Sequence, residues 1–171
     1  DVYILNNLKE FDGKKLVCIT KDGMNMPLSE DDEVAWKTKV EEWLPVCKHA
    51  NDVLGDCVEK VVLSQKLYDS PCCISTGQYG HTAYAERIFK AQTMSDKTAH
   101  SHMNSQKTME INPDNSIIKE LKKRYDTDPN DNTFKDILSL LFETGLLVSG
   151  FDLKEPDKYA GRLNRMISMG L

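Results

Sequence analysis

The residues best suited to chemistry in this sequence are two adjacent cysteines and a nearby histidine. Cys72 and Cys73 could serve as a nucleophile or as metal ligands. On a strand, however, neighbouring side chains point to opposite faces, so the two thiols would not share one site. A cysteine-dependent enzyme would also need His81 and an acid to meet one thiol in space. Nothing in the spacing arranges that meeting, and this enzyme is the least favoured interpretation.

The other candidate ligands are equally isolated. His100 and His102 have a spacing that places two imidazoles on one face of a strand, but no cysteine or carboxylate cluster accompanies them. His49 falls within a predicted long helix, where its side chain would cap the helix or cover part of its surface rather than coordinate a metal. Gly77 and Gly80 lack the lysine and the further glycine of a phosphate-binding loop. We therefore predict no catalytic residue, no metal and no cofactor in this chain.

The composition describes an acidic chain with reduced thiols. Its 171 residues carry a net charge of −5, and no basic run offers a surface for nucleic acid or an anionic membrane. No apolar stretch reaches the ~18 residues of a membrane span. The five cysteines are odd in number and include no C-x-x-C pair, which favours a reducing compartment, so we expect a cytoplasmic protein. Because the first residue is Asp1, we expect a piece of something longer.

The elements that must position these side chains are predicted from periodicity and turn residues. Strands are predicted at Lys15–Thr20, Cys57–Leu63, Cys72–Thr76 and Lys107–Asn112, and helices at Asp32–Leu54, Thr82–Met94, from about Ser116, from about Asn132 and from Pro156. Pro45 should kink or divide the first helix. The acidic run at 29–33 marks a boundary. The pattern predicts an α+β fold with a long helix, a small three-stranded sheet and helices at the end.

Residues 135–151, KDILSLLFETGLLVSGF, are unusually apolar for such an acidic chain. On a helix, a first set of these residues fills an arc of roughly 180°, whereas packing on one core needs only about 100°. That set is Ile137, Leu138, Leu141, Phe142, Gly145, Leu146 and Val148, and Leu140 and Leu147 add a second strip. The last helix carries a narrower stripe of Tyr159, Leu163, Met166 and Ile167. We predict that these two helices need a packing partner beyond their own domain.

Several stretches, taken together, resemble the carboxy-terminal region of the heat shock protein 90 chaperones. They are VEKVVLSQKLYDSPCCIST at 58–76, YGHTAYAERIFKAQ at 79–92, MEINPDNSIIKEL at 109–121, NDNTFKDILSLLFETGLLVSGFDLKEP at 130–156 and YAGRLNRMISMGL at 159–171. The similarity runs in order over essentially the whole chain. Residues 1–29 resemble the end of that family's middle domain, and residues 30–171 resemble its dimerisation domain.

The resemblance implies a homodimeric, ATP-dependent chaperone that assists the folding of client proteins. The last two helices of each protomer would pair with a second protomer as a four-helix bundle. The interface residues implied are Ile137, Leu140, Leu141, Leu147, Val148, Tyr159, Leu163, Met166 and Ile167. ATP and Mg would bind an amino-terminal domain outside this chain, so this piece is not expected to be an enzyme. Tetratricopeptide-repeat cochaperones would dock on an acidic tail beyond Leu171.

Two departures from the family pattern concern client contact. His81 stands where the family usually has Trp, and the segment AHSHMNSQ keeps only Met103 of an exposed apolar set. Met94 and Met103 are the implied client contacts. We expect at least one of the two tryptophans, Trp36 and Trp43, to lie in the core. An alternative to the dimer is a monomeric module that docks a different protein on the helix at 132–149.

Overall fold

The computed structural model describes residues 8, 10–16, 18, 20–21, 29–77, 80, 82–92 and 107–170. Its strands are β1 (Glu10–Phe11), β2 (Lys14–Lys15), β3 (Lys60–Leu63), β4 (Cys72–Thr76) and β5 (Lys107–Ile111). Its helices are α1 (Glu30–Leu54), α2 (Ala83–Gln92), α3 (Ser116–Thr127), α4 (Asn132–Val148) and α5 (Pro156–Gly170), and a 3-10 turn covers Gly55–Cys57. None of these described helices is both long and apolar enough to cross a membrane.

Helix α1 is capped at both ends. The side chain of Ser29 accepts a hydrogen bond from the backbone N–H of Asp32 at 3.3 Å. Four acidic residues, 30–33, fill the first turn, where the helix dipole favours negative charge. Gly55 ends the helix with a φ of 52°, a backbone conformation that glycine adopts without steric cost.

Pro45 lies inside α1 without dividing it. Of the two predicted effects, a kink or a division, the division does not occur, because the helix continues as one element to Leu54. Proline removes one N–H and leaves the carbonyl of Glu41 without its helical partner. Pro45 and Glu41 are both exposed, so water can bind that carbonyl and the helix tolerates the loss.

Strands β3, β5 and β4 form a mixed sheet with β5 at its centre. β3 runs parallel to β5 with Val61 opposite Met109, and β4 runs antiparallel to it with Ile74 opposite Met109. Because β3 and β5 are parallel, a crossover connection must join them, and this connection contains β4 and α2. These three strands lie where the sequence predicts them, although β3 begins only at Lys60 because the 3-10 turn precedes it.

Of the strand predicted over Lys15–Thr20, only Lys15 belongs to a strand among the described residues. Asp12 and Gly13 both have positive φ, 50° and 71°, as in the tight turns that join hairpin strands. This turn pairs β1 with β2, and the strand ends at once. The chain then meets β4, where Lys21 forms a parallel bridge with Thr76. The tight turn explains the difference from the prediction, because a two-residue loop determines which residues of the two strands can pair.

The central strand β5 is buried on both faces. Met109 and Ile111 point into the apolar core that the helices cover, while Thr108 and Glu110 are buried on the other face. The same core contains Trp43, Cys47, Leu54, Ile74, Ile118, Phe134, Leu138, Leu141 and Phe142. Trp43 is thus the core tryptophan that the sequence predicts, and Trp36 is half-buried.

Glu110 organises the polar face of the sheet. Its carboxylate accepts hydrogen bonds from Ser75 Oγ at 2.6 Å and from Ser64 Oγ at 2.9 Å. It also pairs with Lys66 Nζ at 2.8 Å, and both side chains of this pair are largely buried. A buried carboxylate needs such partners, because an unpaired charge in this position would be strongly destabilising.

We expect Glu110→Ala to destabilise the fold substantially. The substitution removes an acceptor from three donors, and losing one partner of a buried ion pair costs about 3–5 kcal/mol. Urea denaturation should therefore give a free energy of unfolding lower by about 3 kcal/mol.

Glu120→Ala is the matched control. Glu120 is exposed on α3 and contacts Lys123 and Arg124 only at 3.5 and 3.9 Å. Its loss should change the free energy of unfolding by less than about 1 kcal/mol. Equal effects of the two substitutions would show that the Glu110 network has no special structural role.

Candidate interaction surface

Burial makes Cys72 and Cys73 poor nucleophiles. The Cys72 thiol donates to the Leu141 carbonyl at 3.3 Å, and burial raises its pKa to about 12. Burial, helped by the negative charge of Glu110, raises the pKa of Cys73 to about 11. A catalytic thiol needs a lowered pKa, so this environment opposes the cysteine-enzyme interpretation. His81, the partner required by that interpretation, lies outside the described residues.

The remaining chemical candidates do not form a site in the described part of the chain. The ring of His49 lies 5.2 Å from that of Tyr125 and 5.3 Å from that of Phe134, which is a packing role. Within the described ranges, no group of three or more His, Cys, Asp or Glu side chains could hold a metal ion. The predicted ligands His100 and His102 and the predicted client contacts Met94 and Met103 lie outside those ranges.

Helix α4, which contains the unusually apolar segment, is fixed at both ends. Asp131 accepts a hydrogen bond from the Thr133 N–H at 2.8 Å, and this bond lowers the pKa of the Asp131 carboxyl. At the other end Gly150 has a φ of 84°, and the Phe151 N–H donates to the Leu146 carbonyl at 2.8 Å. This is the Schellman arrangement, and Phe151 is buried beneath it.

The inner face of α4 lies directly against strand β4. A Cβ placed on Gly145 would lie 3.3 Å from Ile74 Cγ1 and 3.4 Å from Cys72 Sγ, which is closer than side chains usually pack. Just beyond, the Ile74 N–H donates to Ser149 Oγ at 3.1 Å, so a side chain covers the edge of β4. The rotation of α4 about its own axis is therefore determined by this contact.

Two apolar side chains at the end of α4 are uncovered. Leu147 is 46% exposed and Val148 is 76% exposed. The following helix, α5, continues the same character, because Leu163 is 40% exposed and Ile167 is 51% exposed. We call Leu147, Val148, Leu163 and Ile167 the outer apolar surface. Single exposed apolar side chains are common, but four on two adjoining helices are typical of an interaction site.

Ion pairs hold α5 against α4. Arg162 Nη1 lies 2.6 Å from Glu143 Oε1, and Arg165 Nη2 lies 3.3 Å from an Asp136 oxygen. The Arg162–Glu143 pair is mostly shielded, with side chains 24% and 17% exposed. In contrast, no described side chain of α5 is fully buried. The position of α5 therefore depends more on charge than on apolar packing within this chain.

The implied interface residues occupy three different environments. Leu141 is only 9% exposed and lies in the core of the chain. Ile137, Leu140, Tyr159 and Met166 are half-buried. The other four residues form the outer apolar surface. Sequence reasoning placed Leu141 correctly on the apolar arc of the helix, but only the contact with β4 shows which part of that arc is covered.

The ion-paired residues were missed as functional elements. Asp136 and Glu143 are seven residues apart and so lie on one face of α4, while Arg162 and Arg165 are three apart on α5. Opposite charges at these spacings on consecutive helices are the signal that could have identified the contact.

Comparison with known proteins gives one consistent result. The sequence model of the Hsp90 protein family matches residues 1–171. A human protein named as a heat shock protein HSP 90-beta-3 is 42% identical over the whole chain, which covers 29% of that protein. Heat shock protein 83 of Leishmania donovani is also 42% identical over the whole chain, which covers 38% of it. An Arabidopsis thaliana endoplasmin homolog is 33% identical, with 20% of its length covered. The chain thus spans well under half the length of these relatives.

We expect the cysteines to differ sharply in reactivity with iodoacetamide at mildly alkaline pH. Cys57 is exposed and should be alkylated quickly. Cys47 and Cys72 should react slowly, because burial raises their pKa values to about 11 and about 12 and the thiolate is the reactive form. Peptide mass spectrometry over a time course measures the rates. Fast alkylation of Cys72 in the folded chain would revive the cysteine-enzyme interpretation.

The same thiols should make the fold sensitive to alkaline pH. Their pKa values are higher in the folded state than the ordinary value of 9.0, so their contribution to stability is complete below that pH. It should be lost as pH rises from 9.0 through about 12, because the unfolded chain releases its protons first. Urea denaturation across this range should show a less steep decline for Cys72→Ala than for the original sequence.

Proposed function

The chain belongs to the Hsp90 protein family, and from this membership we propose that it contributes the dimerisation domain of a molecular chaperone. In this proposal residues 30–171 are the C-terminal domain, and residues 1–29 are the end of the preceding middle domain. The observation that carries the proposal is the outer apolar surface on α4 and α5. The apolar arc of α4 is wider than one core can cover, and a second copy of the chain supplies the missing partner.

Two-fold symmetry suits this surface. In a symmetric dimer the same patch meets itself, so a single apolar surface is sufficient for both partners. Two helices from each protomer would then form a four-helix bundle. A specific dimer should bury at least about 1,000 Å² in total. The half-buried side chains of Ile137, Leu140, Tyr159 and Met166 would extend the contact around the four exposed residues.

The proposed work of the domain is mechanical. Joining two chaperone arms at one end raises the effective concentration of each arm for the other. ATP and Mg binding belong, in this proposal, to another part of the longer protein, so this chain has no ATPase activity of its own. Clients and tetratricopeptide-repeat cochaperones are proposed partners of the whole protein. The five cysteines are free, which supports a reducing, cytoplasmic location.

We expect the original chain to be a dimer and a Leu147→Glu, Val148→Glu double variant to be a folded monomer. Both residues are exposed, so the substitutions should leave the core intact while placing like charges across the interface. Sedimentation equilibrium over a wide concentration range measures the mass, and circular dichroism checks the fold. Leu141 is unsuitable for this test because it lies in the core.

Tyr68→Glu is the matched control. Tyr68 is 92% exposed and lies on the connection between β3 and β4, on neither α4 nor α5. This variant should dimerise like the original chain. A monomeric original chain would instead favour a module that docks a different protein on α4. A double variant that remains dimeric would place the dimer interface elsewhere on the chain.

A further inference from the structure

A pocket of about 480 Å³ lies between the end of α1, helix α4 and the connection from α4 to α5. Its volume is within the range of small-molecule sites, roughly 300–1,000 Å³. The floor is apolar and consists of Val53, Leu54, Val58, Phe142, Leu146 and Leu153. Four of these six side chains are buried in the core, so the floor is preformed rather than assembled on binding.

The rim of the pocket has an excess of negative charge. Five acidic and three basic residues line it. The bases are already engaged, because Arg162 pairs with Glu143 at 2.6 Å and Lys107 pairs with Glu86 at 2.9 Å. Lys154 also has an interaction partner.

Two of the acids are available. Asp56 and Glu59 are exposed, and no ion pair joins either of them to another described residue. The unmatched charge at the rim is therefore negative, which disfavours an anionic ligand and favours a cation.

We propose that this pocket binds a small amphipathic organic cation. The apolar ring or chain of the ligand lies on the Leu54–Phe142 side of the floor, and its protonated amine faces Asp56 and Glu59. The proposal goes beyond the dimerisation function and does not depend on it. The exposed carboxylates are screened by water and salt, so each contributes only about two- to fivefold in affinity.

Three matched probes test the charge preference. They are 4-phenylbutylamine, 4-phenylbutan-1-ol and 4-phenylbutyrate, which share one apolar body and differ in charge. Titration of the isotopically labelled chain at low ionic strength, followed by amide chemical shifts, should show changes at Val53, Leu54 and Leu153. We expect the amine to bind most tightly, the alcohol less tightly and the carboxylate least tightly.

Two double variants show whether the preference for the amine comes from the pocket or from the net charge of the chain. Asp56→Asn with Glu59→Gln should reduce amine affinity by about 4- to 25-fold and leave the alcohol unchanged. Asp31→Asn with Asp32→Asn makes the same change in net charge at the start of α1, remote from the pocket, and should have little effect. Ser139→Phe, which narrows the pocket from α4, should weaken all three probes.

Several outcomes would overturn the proposal. They are equal affinity for the amine and the carboxylate, equal effects of the two double variants, and no binding of any probe. Binding only by the monomeric Leu147→Glu, Val148→Glu variant would also overturn it, because the second copy would then cover the pocket. That last result would leave the dimerisation proposal standing, so the two can fail separately.

Discussion

The contact between α4 and β4 at Gly145 is the constraint on which the rest of this structure depends. A larger residue would crowd this contact, because even a Cβ would lie 3.3 Å from Ile74 Cγ1. Ser149 then binds the backbone of the same strand at 3.1 Å. Once these contacts fix the rotation of α4, Phe134 and Leu138 must enter the core. Leu147, about 200° from Gly145 around the helix, must face outward.

The position of α5 follows from the same rotation. The rotation of α4 places Asp136 and Glu143 on the side of the helix where they pair with Arg162 and Arg165. Surface ion pairs contribute little, typically about 0–1 kcal/mol, and a well-shielded pair contributes mainly by fixing geometry. The ion pairs therefore orient α5 more than they stabilise it. Stabilisation has to come from the apolar side chains of α5, and within the described chain these are largely uncovered.

Local patterns predicted most of the fold, and they failed where the outcome depends on contacts distant in sequence. The strands Cys72–Thr76 and Lys107–Ile111 were predicted because alternation and β-branched residues are local properties. Leu141 and Val148 share one apolar arc in the sequence pattern, yet one is buried and the other exposed. Local sequence could not decide whether Pro45 divides α1, because the cost depends on solvent access to one carbonyl. The pocket was invisible for the same reason, since its floor combines three separate elements.

Helices α4 and α5 are held in place by different interactions, so they have different roles in the proposed dimer. α4 is held by a close apolar contact and by caps at both ends, so it presents Leu147 and Val148 on a fixed base. α5 is joined to it chiefly through Arg162 and Arg165, so much of its apolar burial would come only from the partner protomer. In the proposed dimer, association would therefore stabilise α5 more than α4, because a ligand or partner that binds the folded state adds its binding free energy to stability. An interface of this kind combines a rigid element that sets the symmetry axis with a second element that completes the bundle only when the partner is present.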